Sequence, residues 1–349
     1  MNSRLCLSSH QPSSKLLERV APAPPPPPPR VHLIKTMSYP QGTGEFISTL
    51  PERKGWAEPL IQYKDFWFRR LPLEQILLLQ DAMEPRADDI ILATQPKCGT
   101  TWLKALAFAV TNRSRYSFTD DHPLLTTHPH RAVPYIEIPS PGTDHAHRHL
   151  EALPSPRLLA THMPMSLLPL HAGSRVVYLC RDPKDTLVSK FYFERRISET
   201  SDLSMDSAFS MFCDGFSSSG PFWDHCLEYW KESLARPNNV LFLRYEEIKS
   251  DPVQVVRKLA AFLGVPLTQE EESSGAAQEV VSLCSFEKLT SLQINQVGGV
   301  DRGNRLYVGN SMFYRKGEVG DWMNHMSHEM GEKLDRIVRE KLQGSGLVF

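Results

Sequence analysis

Four short apolar runs, each leading into a segment of helical character, constrain this chain more than any other feature. They are Asp89–Thr94, Leu158–Ala160, Arg175–Cys180 and Val240–Arg244. Within them apolar residues follow one another without polar alternation, the pattern of strands covered on both faces. Helical segments lie before, between and after them, including Leu73–Met83 ahead of the first and "DTLVSKFYFERR" after the third. In "SDPVQVVRKLAAFLGV", Asp251 suits an N-cap, Pro252 a first turn and Gly264 a C-terminal stop. Val253, Val256, Leu259, Ala260 and Leu263 mark its buried face. Strands alternating with helices predict an α/β fold, a parallel sheet flanked by helices in a single domain. Ligands of such sheets sit beyond the C-terminal strand ends. Lys97, His162, Arg181 and Tyr245 each fall just past one of the four runs, so four strands deliver polar groups to one edge.

The first of these junctions reads "IILATQPKCGTTWLKAL". Strand, tight loop and helix in that order expose backbone N–H groups at a helix start, where an anion is favoured. Lys97 adds a point charge. The nucleoside triphosphate loop, however, reads G-x-x-x-x-G-K-[ST]. Here the lysine precedes the loop's one glycine, Gly99, by two residues.

Three further regions bear on what the loop holds. Arg181 opens a second cationic cluster, and Ser189, about two helical turns on, faces the same side. "FYRKGEVGDW" supplies Arg315, Lys316 and Gly317: two cations and a glycine that lets backbone approach an anion. Two separate anion sites fit one nucleotide phosphorylated at two places better than a triphosphate with magnesium. His162, in "ATHMP", is the candidate general base, since a neutral imidazole can take a proton from a hydroxyl. A strand-end histidine can also be purely structural.

The remaining composition narrows the class. A net charge of −1 over 349 residues speaks against non-specific nucleic-acid binding. No apolar run approaches the roughly 20 residues of a membrane span. Six scattered cysteines form no C-x-x-C pair and read as reduced thiols of a cytoplasmic enzyme. Six consecutive prolines, Pro24–Pro29, can only be polyproline II or disorder, and a Ser-rich segment precedes them. Residues 1–54 are therefore expected to be a disordered extension and residues 55–349 the folded domain. A transit peptide over residues 1–36 is the alternative, disfavoured because the proline run spoils an amphipathic helix.

"PKCGTTWLKAL", "ATHMPMSLLP", "CRDPKDTLVSKFYF", "LFLRYEEIKSDP" and "FYRKGEVGDWMNHMS", in this order over roughly residues 55 to 345, resemble the cytosolic sulfotransferase family, and within it the plant branch. The resemblance implies a fold related to nucleotide kinases and 3′-phosphoadenylyl sulfate (PAPS) as sulfuryl donor, without a metal. It implies that Lys97, Cys98, Gly99, Thr100, Thr101 and Trp102 line the 5′-phosphosulfate and adenine. Lys97 would neutralise the leaving phosphate oxygen. Arg181, Ser189, Arg315, Lys316 and Gly317 would bind the 3′-phosphate, Tyr245 would contact the adenine side, and His162 would be the base. The acceptor would be a small hydroxylated molecule such as a flavonoid or steroid.

The sequence departs from the family pattern at two places. Cys98 stands where serine is usual, beside Lys97 and a helix start, conditions that lower a thiol pKa. Met323 follows "GDW" where lysine is common, and the dimer motif of the animal enzymes is not evident, which leaves the oligomeric state open. The histidines between His122 and His149 match no zinc spacing and read as a polar loop. Trp67 and Tyr135 are candidate aromatic walls for the acceptor. A small-molecule kinase is opposed by the missing G-K-[ST], and a non-catalytic scaffold by the presence of both Lys97 and His162.

Overall fold

The structure is a computed structural model and describes residues 42–138, 146–198, 202–301 and 307–349. At its centre lie four parallel strands, β4 (Ile90–Thr94), β5 (Leu158–Thr161), β6 (Arg175–Cys180) and β7 (Val240–Arg244), in the spatial order β5-β4-β6-β7. The order departs from the chain order in that β4 lies between β5 and β6, and each parallel neighbour is reached by a crossover rather than a hairpin. β4 sits between β5 and β6, with Ala93 opposite Thr161 and Thr94 opposite Leu179. All five residues of β4 are buried, as its unbroken apolar run requires. Hydrophobic clusters pack on both faces, one including Ile91, Ala93 and Tyr178, the other Leu92, Val177 and Leu243.

The helix after β4 spans Thr100–Asn112, and the one after β6 spans Pro183–Ile197. Asp182 caps the latter, accepting from the N–H groups of Lys184 and Asp185. The helix Pro252–Phe262 starts and stops where its cap residues place it: Asp251 accepts from the Gln254 N–H, and Gly264 has φ +79°. Its fully buried face is Val255, Val256, Leu259 and Ala260, so Val255 takes a core position and Val253 is only partly buried.

The expected boundary at residue 54 needs correction. A helix at Thr43–Ser48 buries Ile47, and β1 (Glu52–Arg53) pairs with β2 (Leu60–Tyr63), which pairs with β3 (Phe66–Phe68) in an antiparallel ribbon. These residues belong to the folded body. A two-residue strand has too little pattern to register in the sequence. Residues 1–41, with the proline run, lie outside the described residues.

Candidate active site

The loop after β4 is shaped by two residues with positive φ, Lys97 (+76°) and Gly99 (+105°). A Cβ at Gly99 would lie 2.8 Å from Tyr245 Cδ2 and 3.1 Å from Leu179 Cδ2, so glycine is required there on both conformational and steric grounds. Gly99 caps the helix Thr100–Asn112 without a side-chain hydrogen bond, which leaves the first-turn N–H groups to an incoming anion. Thr100 Oγ1 lies 2.6 Å from Thr94 Oγ1, and Thr101 Oγ1 lies 3.1 Å from His130 Nε2. The Lys97 ammonium rests 3.9 Å from the centre of the Phe193 ring. Burial, reinforced by the charges of Lys190 and Arg181, lowers its pKa to about 7.

Cys98 does not behave as its neighbours suggest. Its side chain is fully buried, with Sγ 3.5 Å from Thr186 Oγ1, and burial pushes the thiol up to about 12. The loop turns its thiol into the core, so adjacency to Lys97 confers no reactivity. Cys98 also does not line the cavity described below.

The second cluster forms where the C-terminal segment crosses the start of the helix Pro183–Ile197. Asp185 accepts from the N–H groups of Gly320 (2.8 Å) and Trp322 (3.0 Å). Arg181 Nη2 donates to the Glu318 carbonyl (2.6 Å) and faces Asp185 Oδ2 at 3.3 Å. Its guanidinium lies 4.4 Å from the Tyr245 ring centre, and its buried Nε has no protein partner. Arg315 Nη1 and Lys316 Nζ bond the two carboxylate oxygens of Asp321, at 2.5 and 2.7 Å. Burial alone would raise the Asp321 pKa, but hydrogen bonds from Lys316 and Arg315 hold it well below the usual carboxylate range. Gly317 has φ +67°, and a Cβ there would strike Phe286 at 2.6 Å. Trp102 and Tyr245 meet with ring centres 5.3 Å apart.

His162 follows β5. Its Nδ1 lies 2.8 Å from the Thr94 carbonyl oxygen, which can only accept. Nδ1 therefore carries the proton, and Nε2 carries the lone pair a general base needs. The His162 backbone N–H donates to Glu137 Oε1 (2.7 Å), and Thr161 Oγ1 donates to Glu137 Oε2 (2.9 Å). Burial raises the Glu137 pKa against these hydrogen bonds. The ring of Tyr135, 5.0 Å from His162, completes the wall.

These groups open onto one cavity of about 630 Å³. Lys97, Gly99, Thr100, Thr101 and Trp102 line it with Arg181, Ser189, Tyr245, Arg315, Lys316 and Gly317, as do Tyr135 and His162. Trp67 does not. It alternates on β3 with Phe68, which faces the cavity, so Trp67 points to the opposite side, 4.8 Å from Phe216. His130 stacks on Tyr135 and meets Phe313 at a tilt, ring centres 4.2 Å apart, rather than standing in a polar loop. Among the described residues no group of His, Cys, Asp and Glu is arranged to hold a metal ion.

Sequence reasoning missed a buried charge group on the cavity wall. Arg69 Nη2 donates to both oxygens of Glu194 (2.7 and 2.8 Å), and Lys190 stands 3.7 Å from Glu194. Lys190 and Glu194 are four residues apart on one helix, a spacing visible in the sequence. Arg69 lies 125 residues away from Glu194, and no local pattern announces it.

Residues 87–346 match the family model described as the sulfotransferase domain. Cytosolic sulfotransferase 5 of Arabidopsis thaliana is 44% identical over 314 residues, covering 88% of this chain and 96% of that protein. Cytosolic sulfotransferase 8 of the same plant is also 44% identical, over 311 residues, covering 87% and 92%. A sulphotransferase crystal structure from Arabidopsis thaliana superposes with TM-score 0.68 at 36% identity, covering 87% of this chain and 94% of that one. The mouse sulfotransferase SULT7A1, solved with PAP (the 3′,5′-bisphosphoadenosine product), gives TM-score 0.63 at 26% identity, covering 82% and 95%.

Proposed function

The chain belongs to the plant cytosolic sulfotransferase family and is a PAPS-dependent transferase, and from that premise we propose that it moves the sulfuryl group in line onto a small-molecule hydroxyl, with His162 as general base. One observation carries this reading. A single cavity has an anion loop at Lys97, a second cation cluster at Arg181, and a histidine whose Nδ1 is committed to a backbone carbonyl.

The residues fit the donor. The uncapped first turn after Gly99 suits the 5′-phosphosulfate. The unpartnered Arg181 Nε suits a further anion, and Ser189, Arg315, Lys316 and the close-packed Gly317 surround it, so the 3′-phosphate goes there. Trp102 and Tyr245 flank the purine. In the transfer, His162 Nε2 takes the acceptor hydroxyl proton as that oxygen bonds to sulfur. The sulfur–oxygen bond to the 5′-phosphate breaks, and PAP leaves with the electron pair. Lys97 and the loop N–H groups face the charge that develops on the leaving oxygen. Protein cations supply this neutralisation, and the reading involves no metal.

Phe68, Ile76, Tyr135, Ile138, Met163 and Phe193 give the cavity an apolar lining toward His162. That favours a flat or ring-bearing acceptor, such as a flavonoid or a steroid. The names of the Arabidopsis relatives place such enzymes in the cytosol, and we assign this chain there too. The experiment is one panel of hydroxylated acceptors assayed with sulfur-labelled PAPS and, in parallel, with γ-labelled ATP. Label transferred from PAPS alone is the expected result. Transfer from ATP, or none from PAPS to any acceptor, overturns the proposal.

A further inference from the structure

Among the described residues, Lys190 is the one strongly buried ammonium on the cavity wall that this mechanism leaves unused. It is 2% exposed and lines the cavity. An ammonium carries three N–H donors. One goes to Ser218 Oγ at 2.5 Å. The nearest carboxylate, Glu194, is bound through both oxygens by Arg69, and at 3.7 Å from Lys190 it lies beyond hydrogen-bond length. Beyond Ser218 its neighbours are the Glu194 carboxylate, an ion pair too long for a hydrogen bond, and the Trp56 ring, 5.1 Å from the ammonium, so a ligand in the cavity that Lys190 lines can take a remaining N–H.

Its place in the fold narrows what it meets. Lys190 and Phe193 are three residues apart on the helix Pro183–Ile197 and so are neighbours on its surface. Phe193 carries the Lys97 ammonium on its ring. Ser218, the partner of Lys190, also accepts through its carbonyl from Gln95 Nε2, two residues before Lys97. Lys190 thus stands on the transfer side of the cavity, whereas its chain neighbour Ser189 belongs to the other anion site.

Resting on the donor placement above, we propose that the Lys190 ammonium hydrogen-bonds an oxygen of the sulfuryl group being transferred, and so fixes the electrophile in line between the leaving oxygen and the acceptor. No proton changes hands at Lys190: it donates a hydrogen bond and keeps its charge. The other anions of the donor already have partners, the leaving oxygen in Lys97 and the 3′-phosphate in the Arg181 cluster. The electrostatics agree. Burial lowers the Lys190 pKa to about 8 although the Glu194 charge opposes the shift, with the nearby Arg69 charge adding to it, and an arriving sulfonate would favour the charged form.

PAP lacks the sulfuryl group, which makes the test selective. Calorimetry without acceptor gives the Kd of PAPS and of PAP for wild type, Lys190→Met and Lys190→Arg. The methionine variant should bind PAPS about tenfold more weakly, the scale of a lost hydrogen bond to a charged group. Its PAP affinity should stay within about twofold, which also shows that it is folded. The arginine variant should keep most of the PAPS affinity. In turnover, Lys190→Met should lose kcat/KM for PAPS with the acceptor KM unchanged. Equal losses for both nucleotides in both variants overturn the proposal, as does unchanged PAPS affinity with a raised acceptor KM, which assigns Lys190 to the acceptor. A wild type that binds neither nucleotide refutes the donor placement itself, a separate failure.

Discussion

The two ends of the cavity are built on opposite electrostatic plans. At the Arg181 end every cation has a protein partner: Arg181 has Asp185 and the Glu318 carbonyl, and Arg315 and Lys316 share Asp321. At the Lys97 end two lysines share a wall with one fully engaged glutamate, and both are pushed toward neutrality. On the reading proposed above, the first end, organised by its protein partners, holds the nucleotide, and the second, where burial lowers the pKa of both lysines, meets the group that reacts. Strain of this kind concentrates where binding energy is used for chemistry rather than affinity.

The sharpest way to test this contrast is to remove the base. His162→Ala should lower kcat by about 10²–10⁴-fold, the usual contribution of a general base. PAP affinity, set elsewhere, should stay within about twofold by calorimetry. A variant that keeps most of its kcat removes His162 from the reacting end.

At the other end, Arg181→Ala should weaken PAPS binding at least about tenfold if, as proposed, the 3′-phosphate takes a charged hydrogen bond from Arg181. The preference for PAPS over adenylyl sulfate, which lacks that phosphate, should shrink in kcat/KM. An unchanged preference would mean that Arg181 does not read the 3′-phosphate, and the contrast between the ends would lose one side.

A smaller effect concerns stability. The folded pKa of Lys97 lies below that of an unfolded lysine, so the unfolded chain binds more protons between the two values. The cost of keeping this charge in the empty site is full below about pH 7 and fades as pH rises toward the ordinary lysine value. Lys97→Met, though it abolishes transfer, should therefore raise the Tm of the nucleotide-free protein near pH 6.5, by about 2 °C. The gain should vanish by about pH 10, near the reference lysine pKa. A Tm that falls at pH 6.5 would show that the lysine end is not strained.

The smallest expected effect is none. At pH 8 an alkylating reagent should leave Cys98 unmodified by mass spectrometry, because a buried thiol with a pKa near 12 offers almost no thiolate. Rapid labelling would place the thiol in the cavity.

What could be read from the sequence follows from where information lies along the chain. β4 and β6 were visible because strands buried on both faces need unbroken apolar runs, β5 and β7 because they are apolar runs even at the sheet edges, and the rule that sites lie past the C-terminal strand ends placed Lys97, His162, Arg181 and Tyr245 together. Arg315 and Lys316 carried a local motif. Arg69 and Glu137 had none, since their roles arise from contacts with Glu194 and with the His162 backbone, made only by folding. Lys190 was hidden beside Ser189, where neighbours on a helix point about 100° apart. Cys98 and Trp67 were misjudged for a related reason. Sequence adjacency to a functional group says little about direction, and in both cases the backbone turns the side chain away.

Gly99 has a consequence for how this protein can vary. The face of the loop where a Cβ would project is closed by the edge of Tyr245, the same ring that lies under the Arg181 guanidinium and against Trp102. The loop and the slot proposed for the purine thus share a wall one ring thick. Drift at either position is vetoed by the other: a side chain at 99 displaces the ring, and a bulkier group at 245 displaces the loop. In a library randomised at both positions, survivors should keep glycine and a flat ring as a pair, while the apolar lining beside His162 tolerates change. Donor use would then be the inherited constant of such an enzyme and acceptor choice its adjustable trait.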